Sequence, residues 1–212
     1  MPPTTRLDRR RVAAVALDLL NETGLDGLTL RAIAKELDVK APALYWHFKD
    51  KQALLDEMAT EMVRRAAPGL GGDPDAADWQ ASLTSAMRGL RRMLLRYRDG
   101  AKVYSGTRFT DTSYAAPVEA QLRTLTEAGF APAAAARALL TATSYTVGHV
   151  IEEQATGVGS GGVAEGYDLA ARAERLRDFP LAAAAGEEMF QNHDAGFEAG
   201  LAAVVAGVGA LR

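Results

Sequence analysis

Two groups of side chains in this chain of 212 residues could do chemistry. The first lies between residues 28 and 55, where polar side chains interrupt an apolar pattern. Its members are Thr29, Arg31, Lys40, Tyr45, His47 and Lys51. Hydroxyl, imidazole and cationic side chains bind phosphates, and an arginine can donate two hydrogen bonds to O6 and N7 of a guanine. This group therefore favours nucleic-acid binding.

The second group is His149, Glu152 and Glu153, whose spacing on a helix can place an imidazole and a carboxylate on one metal ion. The chain has only three histidines, and no second histidine accompanies His149 in this motif. There is also no serine or cysteine nucleophile motif. A metal-dependent hydrolase is therefore a weak alternative. We predict no enzyme activity, no metal site and no cofactor.

Three short helices would position the first group. Thr29 is a good N-cap for a helix whose apolar positions share one face. Those positions are Leu30, Ile33, Ala34 and Leu37. Lys40, Ala41 and Pro42 open a second helix, since a proline loses no hydrogen bond in a first turn. Asp50 opens the third. Two short helices joined by a tight connection predict a helix-turn-helix, in which the second helix enters the major groove.

Within that second helix, the N-terminal residues would face base edges. They are Lys40, Ala41, Pro42 and Ala43. Tyr45 and His47 would reach phosphates, and Leu44 and Phe48 would anchor the helix to the core. Trp46 is expected to pack rather than to contact DNA. The pattern alone leaves one alternative open, a three-helix core that has no role with nucleic acid.

The overall charge gives no support for DNA binding. Residues 1–65 hold eleven Lys or Arg and ten Asp or Glu, and the whole chain has a net charge of −3. Near the N-terminus, four arginines stand against a single carboxylate, Asp8. This positively charged segment either contacts phosphates or is solvated. The arginines are Arg6, Arg9, Arg10 and Arg11. The absence of cysteine suits the cytoplasm. We see no signal peptide, and the apolar run Leu201–Leu211 is too short for a membrane span.

The segment LNETGLDGLTLRAIAKELDVKAPALYWHFKDKQALLD resembles the DNA-binding domain of the TetR family of transcriptional repressors. The likeness lies in the order of Gly24, Gly27, Thr29, Ala34, Leu44, Tyr45, His47, Phe48, Lys51 and Leu54. Three later segments are similar to the ligand-binding core of the tetracycline-repressor branch of that family. They are LLRYRDGAKVYSGTR, VEAQLRTLTEAGF and VGHVIEEQ.

The resemblance implies an all-α fold with two domains, a three-helix helix-turn-helix DNA-binding domain at 1–66 and a larger helical effector-binding and dimerisation domain at 67–212. It implies a homodimer that binds a palindromic double-stranded DNA operator and is released by a small molecule. A dimer that binds the small molecule but not DNA is the alternative.

For the DNA-binding residues, the resemblance implies that Arg31 and the second helix read bases, while the side chains of Thr29, Tyr45, His47 and Lys51 hold phosphates. The tetracycline-repressor branch carries a glutamine where this chain has Ala41. Bidentate recognition of adenine is therefore lost at that position. We expect an operator related to the tetracycline operator but not identical to it.

For the effector, the resemblance implies a site in which a histidine binds magnesium, a glutamate reaches the metal through water, and a histidine, an asparagine and a glutamine hold the drug. Arg108, Gln121 and Glu152 match that pattern, but Tyr104 replaces the metal-binding histidine. Ala67 and Ala86 replace the two other ring-contacting residues. Because a phenol is a poor ligand for a hard dication, we predict an aromatic or polyketide-like effector rather than tetracycline with magnesium.

The predicted effector site comprises Ala67, Ala86, Leu90, Tyr104, Thr107, Arg108, Phe109, Val118, Gln121, Leu139 and Glu152. The alternative is that these are core side chains, with an ion pair between Arg108 and Glu152. Periodicity predicts helices at 79–97, 117–128, 132–154 and 186–209, with a glycine-rich loop at 156–166. The alanine-rich helices at 131–154 and 186–209 would pair with their copies in a four-helix dimer interface.

Overall fold

The computed structural model describes residues 7–156 and 168–212. Within these ranges the chain is helical and contains no strand, which confirms the all-α prediction. The helices are α1 (Arg9–Gly27), α2 (Leu30–Glu36), α3 (Ala41–Tyr45), α4 (Lys51–Leu70), α5 (Trp79–Leu95), α6 (Gly100–Tyr104), α7 (Ala115–Glu127), α8 (Pro132–Ala155), α9 (Leu169–Arg175), α10 (Pro180–Ala184), α11 (Gly186–Phe190) and α12 (His193–Val208). A short 3₁₀ turn, Gly209–Leu211, follows α12.

The helix starts at the N-terminal end are set by side-chain caps. Asp8, Thr29 and Asp50 each accept a hydrogen bond from the backbone N–H three residues later, at 2.8, 3.1 and 2.7 Å. These bonds satisfy N–H groups that have no partner inside the helix. Leu44 and Phe48 are fully buried and hold α3 in the core, as the sequence predicted.

The C-terminal part is built around α5 and α8, which pack on each other and are flanked by α4, α7 and α12. Helices α4 and α5 cross with their backbones in close contact at two glycines. A Cβ added to Gly89 would overlap the carbonyl oxygen of Gly69, so only glycine fits there. The crossing joins α4, which begins in the helix-turn-helix region, directly to the centre of the effector domain.

Helix α4 is continuous across the domain boundary that the sequence suggested at residues 66 and 67, and it ends at Leu70 with Pro68 inside its last turns. A second contact links the two regions. The side chain of Asn21 accepts a hydrogen bond from the backbone N–H of Arg98 at 2.9 Å, and Asp99 accepts one from Leu25 N–H at 3.0 Å. The turn between α5 and α6 therefore holds the end of α1.

The predicted final helix at 186–209 is wrong as a single element. It is two helices, α11 and α12, which are separated at Gln191 and Asn192. Asparagine hydrogen-bonds locally and favours helix ends over interiors. Helices α9 and α10 were not anticipated. The glycine-rich loop predicted at 156–166 lies outside the described residues except for Thr156.

Helix α12 exposes an apolar face. By length and composition alone, the segment His193–Leu211 could cross a membrane, because the apolar stretch begins earlier than the run noted in the sequence. Its buried side faces α5 and α8, and only 22% of the apolar window is buried. The opposite side carries four exposed alanines, Ala195, Ala199, Ala202 and Ala206. An exposed apolar face of this kind marks a contact surface.

Candidate nucleic-acid interface and effector cavity

The residues predicted to touch DNA lie on the surface of α2, α3 and the start of α4. Thr29, Arg31, Lys40, Pro42, Tyr45 and Lys51 are exposed, and Ala41, Ala43 and His47 are partly exposed. The Thr29 hydroxyl is already used as the cap of α2. Lys51 donates a hydrogen bond to the carbonyl of Leu25 at 3.1 Å, which leaves two of its three ammonium protons for another acceptor.

Trp46 does not pack, and the prediction that it would do so is wrong. Its side chain is 90% exposed at the C-terminal end of α3, beside Tyr45 at 57%. The reason is helical geometry. Leu44 and Phe48, four residues apart, occupy the inward face, and Trp46 between them points the other way. Two adjacent aromatic side chains are thus free on the recognition surface.

Arg9 has a role that the sequence reasoning missed, since it had been assigned to a solvated or phosphate-binding arm. Its guanidinium donates to the carbonyl oxygen of His47 at 2.6 Å and lies over the ring of Phe48, 4.7 Å from the centroid. Its Nε also donates to Glu57 at 3.0 Å. Arg9 therefore fixes the end of the recognition helix α3 to α4. The order of the residues alone gave no signal of these contacts.

Beyond Glu57, the ionic contacts continue along α4. Arg64 donates to Glu57 at 3.0 Å and to Glu61 at 3.0 Å, and it also donates to Asp111 at 2.8 Å. We call the chain of contacts through Asp111, Arg64, Glu57, Arg9 and the His47 carbonyl the ionic relay. It joins the segment after α6 to the recognition helix.

The carboxylates of the relay are ionised at neutral pH. Burial raises the pKa of Glu57, but hydrogen bonds from Arg9 and Arg64 outweigh this effect and hold that pKa below its ordinary value. Hydrogen bonds from Ser113 and Arg64 lower the pKa of Asp111 to about 2. A depressed carboxyl pKa contributes stability at neutral pH that is lost only as the pH falls towards the folded-state pKa. Between pH 6 and 8 the relay is intact.

Residues 105–114, which follow α6, are tied to α4 at two further points. The backbone N–H of Arg108 donates to Asp56 at 3.2 Å, and the N–H of Thr110 donates to the Thr60 hydroxyl at 3.0 Å. Together with the bond between Asp111 and Arg64, these contacts hold the segment along the middle of α4. A displacement of this segment must therefore act on α4.

An apolar cavity of about 90 Å³ lies between α4, α5, α7, α8 and this segment. Seven of the eleven residues predicted for the effector site line it: Ala86, Leu90, Tyr104, Phe109, Val118, Gln121 and Leu139. Lining residues that the sequence reasoning missed are Val63, Leu70, Met87, Tyr114, Pro117 and Thr143. Their apolar character is shared with the rest of the core, so no sequence signal separated them.

The remaining four predicted residues are not brought into this cavity. Ala67 is partly buried on α4, and the Thr107 hydroxyl donates to the Val103 carbonyl at 2.9 Å. Arg108 is exposed, with only its backbone tied to Asp56. Glu152 lines a separate groove of about 520 Å³ between α8, α11 and α12. The suggested ion pair between Arg108 and Glu152 is therefore absent from the described chain, because the two side chains lie at different sites.

Aromatic rings form one wall of the cavity. Phe109 stacks on Tyr114 with 4.9 Å between centroids, and it lies 5.8 Å from the ring of Tyr104. Burial raises the pKa of Tyr104, so its side chain is a neutral phenol. This wall suits the faces and edges of another aromatic ring.

Gln121 gives the effector cavity a buried polar side chain. It is 1% exposed, and its amide nitrogen donates to the Gly71 carbonyl at 2.6 Å. Its amide oxygen is buried and has no hydrogen-bond partner among the described residues. A buried acceptor without a partner costs free energy, which a bound donor would recover.

The residues lining the cavity do not fit magnesium. Mg²⁺ prefers carboxylate oxygens and water, and the lining described here contains no carboxylate and no imidazole. The second predicted chemical group does not form a metal site either. Glu153 is paired with Arg91 at 2.7 Å, and His149 contacts the His193 carbonyl at 3.0 Å. Within the described residues no cluster of three metal-binding side chains occurs.

A helix-turn-helix with an exposed recognition surface, joined by one helix to a helical domain with a cavity, defines a ligand-responsive transcriptional regulator. Two family models match the chain. That of the bacterial regulatory proteins of the tetR family covers residues 13–58, and that of the tetracyclin repressor-like C-terminal domain covers residues 71–212. The chain belongs to the TetR family. It is thus a DNA-binding repressor of the helix-turn-helix type, with DNA, a small-molecule effector and a second subunit as partners.

Sequence relatives come from the tetracycline-repressor branch. The tetracycline repressor protein class A from transposon 1721 of Escherichia coli is 42% identical over 210 residues, which cover 98% of this chain and 93% of the relative. The class D tetracycline repressor of Escherichia coli is 45% identical over 153 residues, covering 70% and 67%. These relatives are repressors, not enzymes.

Solved structures agree with the fold. A possible TetR family transcriptional regulator from Streptomyces coelicolor A3(2) superimposes with a TM-score of 0.82 at 40% identity, covering 97% of this chain and all of the other. The class A TetR in complex with 5a,6-anhydrotetracycline and magnesium gives a TM-score of 0.69 at 39% identity, with coverage of 97% and 100%.

Proposed function

We propose that this repressor is released from a palindromic operator by an uncharged aromatic or polyketide-like molecule that binds without magnesium. The observation that carries the proposal is the lining of the effector cavity. It combines three aromatic rings with the amide oxygen of Gln121, which has no hydrogen-bond partner among the described residues, and its described lining contains no carboxylate and no imidazole. A phenol or hydroxyl on the effector would donate to Gln121. No cofactor is needed for this recognition.

The size of the cavity suggests how binding is coupled to release. At about 90 Å³ it is smaller than the 300 Å³ or more that sites for drug-sized ligands occupy. An effector with fused rings must therefore push Phe109 and Tyr114 outward. Those residues flank Asp111, so the movement pulls on the ionic relay and on α4. The recognition helix then loses the bond from Arg9 that fixes its end.

The energy needed is modest. Allosteric coupling between two sites is typically about 1–3 kcal/mol, and the effector must favour the DNA-incompetent state by that amount. Opening the contact between Arg64 and Asp111 is a cost that effector binding must offset, and this cost is small because Asp111 is exposed. The consequence for DNA is the loss of simultaneous contact with both half-sites.

On DNA, Arg31 and the first residues of α3 would read base edges. They are Lys40, Ala41, Pro42 and Ala43. Tyr45, His47, Lys51 and the α2 N-terminus at Thr29 would hold the backbone. Trp46 joins this set because it is exposed beside Tyr45. We assign residues 1–66 to DNA binding and residues 67–212 to the effector and the partner subunit, with α4 shared by both.

Two other functions are less well supported. A dimer that binds only a small molecule does not need an exposed recognition helix whose end is fixed by Arg9. A metal-dependent hydrolase would need a cluster of metal-binding side chains around His149. Glu152 lines the same groove as His149, but Glu153 is paired with Arg91, and no cluster of three such side chains occurs among the described residues. We therefore propose that the chain is not an enzyme and that it acts on DNA in the bacterial cytoplasm.

A footprint on the DNA that flanks the gene tests the DNA-binding function, with Tyr45→Ala as the variant. Wild-type protein is expected to protect a palindrome at near-physiological salt. The variant should bind it at least tenfold more weakly, because a lost hydrogen bond to a phosphate costs about 1.5 kcal/mol in each half-site. Phe179→Ala, which truncates an exposed aromatic outside the helix-turn-helix, should leave protection unchanged. Equal protection by Tyr45→Ala and wild type would contradict the assigned interface.

A further inference from the structure

A further cavity, larger than the effector cavity, lies between α4 and α5 and is lined by both glycines of their crossing, Gly69 and Gly89. It measures about 280 Å³, close to the lower limit for small-molecule sites. Its lining comprises Met62, Arg65, Ala66 and Gly69 on α4, then Gly89, Arg92 and Met93 on α5, with Arg96 and Tyr97 directly after the end of α5. None of these residues lines the effector cavity.

The polar groups of this groove are almost all donors. Arg65 is bound to Glu61 at 3.0 Å, so its charge is partly offset. The guanidinium groups of Arg92 and Arg96 form no ion pair or hydrogen bond with any residue in the described part of the chain. They lie one helical turn apart and border the same cavity. Two exposed cations without an ion-pair partner in the described part of the chain therefore border the groove.

Tyr97 points to an acceptor in the same place. Its side chain is 3% exposed, and its hydroxyl oxygen accepts a hydrogen bond from Arg65 at 3.5 Å. No hydrogen bond donated by this hydroxyl occurs among the described residues, so its proton is available to an acceptor in the groove that Tyr97 borders. Met62 and Met93, both almost fully buried, give the groove an apolar floor.

We propose that this groove binds a small organic anion, such as an aromatic carboxylate or phosphate, separately from the effector cavity. The anionic group would be held by Arg92, Arg96 and the Tyr97 hydroxyl, since guanidinium forks match carboxylate and phosphate oxygens. The ring would lie on the methionines, whose flexible side chains adapt to irregular apolar shapes.

A DNA phosphate is a poorer occupant. Arg65 is fourteen residues beyond Lys51 on a straight helix, which places the groove about 21 Å along α4 from the recognition surface. A ligand wedged here touches both helices that meet at Gly69 and Gly89. It would therefore stiffen α4 relative to α5 and alter operator affinity.

Calorimetric titration with 2-naphthoate, with 2-naphthol as the uncharged analogue and inorganic phosphate as the ring-free anion, tests this site. One naphthoate is expected to bind per subunit, more tightly than either analogue. The double variant Arg92→Gln/Arg96→Gln should bind it at least about tenfold more weakly, because two charge-assisted hydrogen bonds are lost. The control variant Arg123→Gln/Arg137→Gln removes two exposed arginines outside the groove, has the same net charge and should bind as wild type does.

Several results would overturn the proposal. They are absence of naphthoate binding, equal weakening in both double variants, and binding that is lost in Ala86→Leu but kept in Arg92→Gln/Arg96→Gln. The last result would place the anion in the effector cavity. A drop in operator affinity in Arg92→Gln/Arg96→Gln without any ligand would show that the groove contacts DNA instead.

Discussion

Replacing Ala202 with glutamate is expected to convert the repressor from a dimer to a monomer and to weaken operator binding by about 10²–10⁴-fold. Ala202 lies in the exposed alanine face of α12, opposite the side that packs on α5 and α8. Homodimers of this family place two recognition helices on one palindrome, so binding of the second half-site is intramolecular. That advantage of effective concentration is what a monomer loses.

The physical reason is steric and electrostatic. Two alanine faces can approach closely, whereas two carboxylates related by a two-fold axis repel each other and must be desolvated. Sedimentation velocity gives the mass, and fluorescence anisotropy with a labelled operator gives the affinity. Ala81→Glu, an exposed alanine in the first turn of α5, should remain dimeric and bind DNA normally. A dimeric Ala202→Glu variant with full affinity would place the interface elsewhere.

Replacing Glu57 with glutamine is expected to weaken operator binding about tenfold, to tighten effector binding, and to destabilise the protein by about 3 kcal/mol. Glu57 is 3% exposed and accepts hydrogen bonds from both Arg9 and Arg64. Removing one partner of a fully buried ion pair costs about 3–5 kcal/mol. Arg9 is partly exposed, so water screens its attraction to Glu57. We therefore expect a cost at the lower end of this range.

The affinity for DNA is expected to fall while the affinity for the effector rises. These opposite changes distinguish a coupling role of Glu57 from a merely structural one. In the proposed mechanism, the relay stabilises the state in which residues 105–114 lie against α4, and this state binds DNA. Losing it shifts the population towards the open, effector-binding state. A structural role would lower both affinities. Urea unfolding, operator anisotropy and effector titration measure the three quantities. Glu119→Gln, in an exposed pair with Arg123 at 3.8 Å, should change none of them.

The helix-turn-helix could be predicted almost to the residue, because its signals are local. Thr29, Pro42 and Asp50 act through hydrogen bonds within a few residues of themselves, and the apolar spacing fixes the buried face. The prediction for Trp46 was wrong because its environment is not set by local signals. Its environment depends on what lies opposite the outward face of α3, and Trp46 is 90% exposed in the described part of the chain.

The effector site could be predicted only in part. Gln121 could be found because it matches the family pattern, and Tyr104 because it stands where that pattern has a histidine. Arg108 and Glu152 resemble it equally well, but the packing of α8 against α12 turns Glu152 into another groove. The ionic relay could not be predicted at all. It joins Arg9, Glu57 and Asp111 across long sequence separations, and charged residues at such distances carry no periodic signal.

The most direct test is a calorimetric titration of tetracycline into the repressor, once with excess magnesium and once with EDTA. The described lining of the cavity has no carboxylate and no imidazole, so we expect magnesium to leave the affinity unchanged and weak. A fused-ring phenol without a chelating group, titrated in EDTA, should release the operator. Submicromolar binding of tetracycline that requires magnesium would contradict the account and would return this repressor to the metal-dependent mode of recognition.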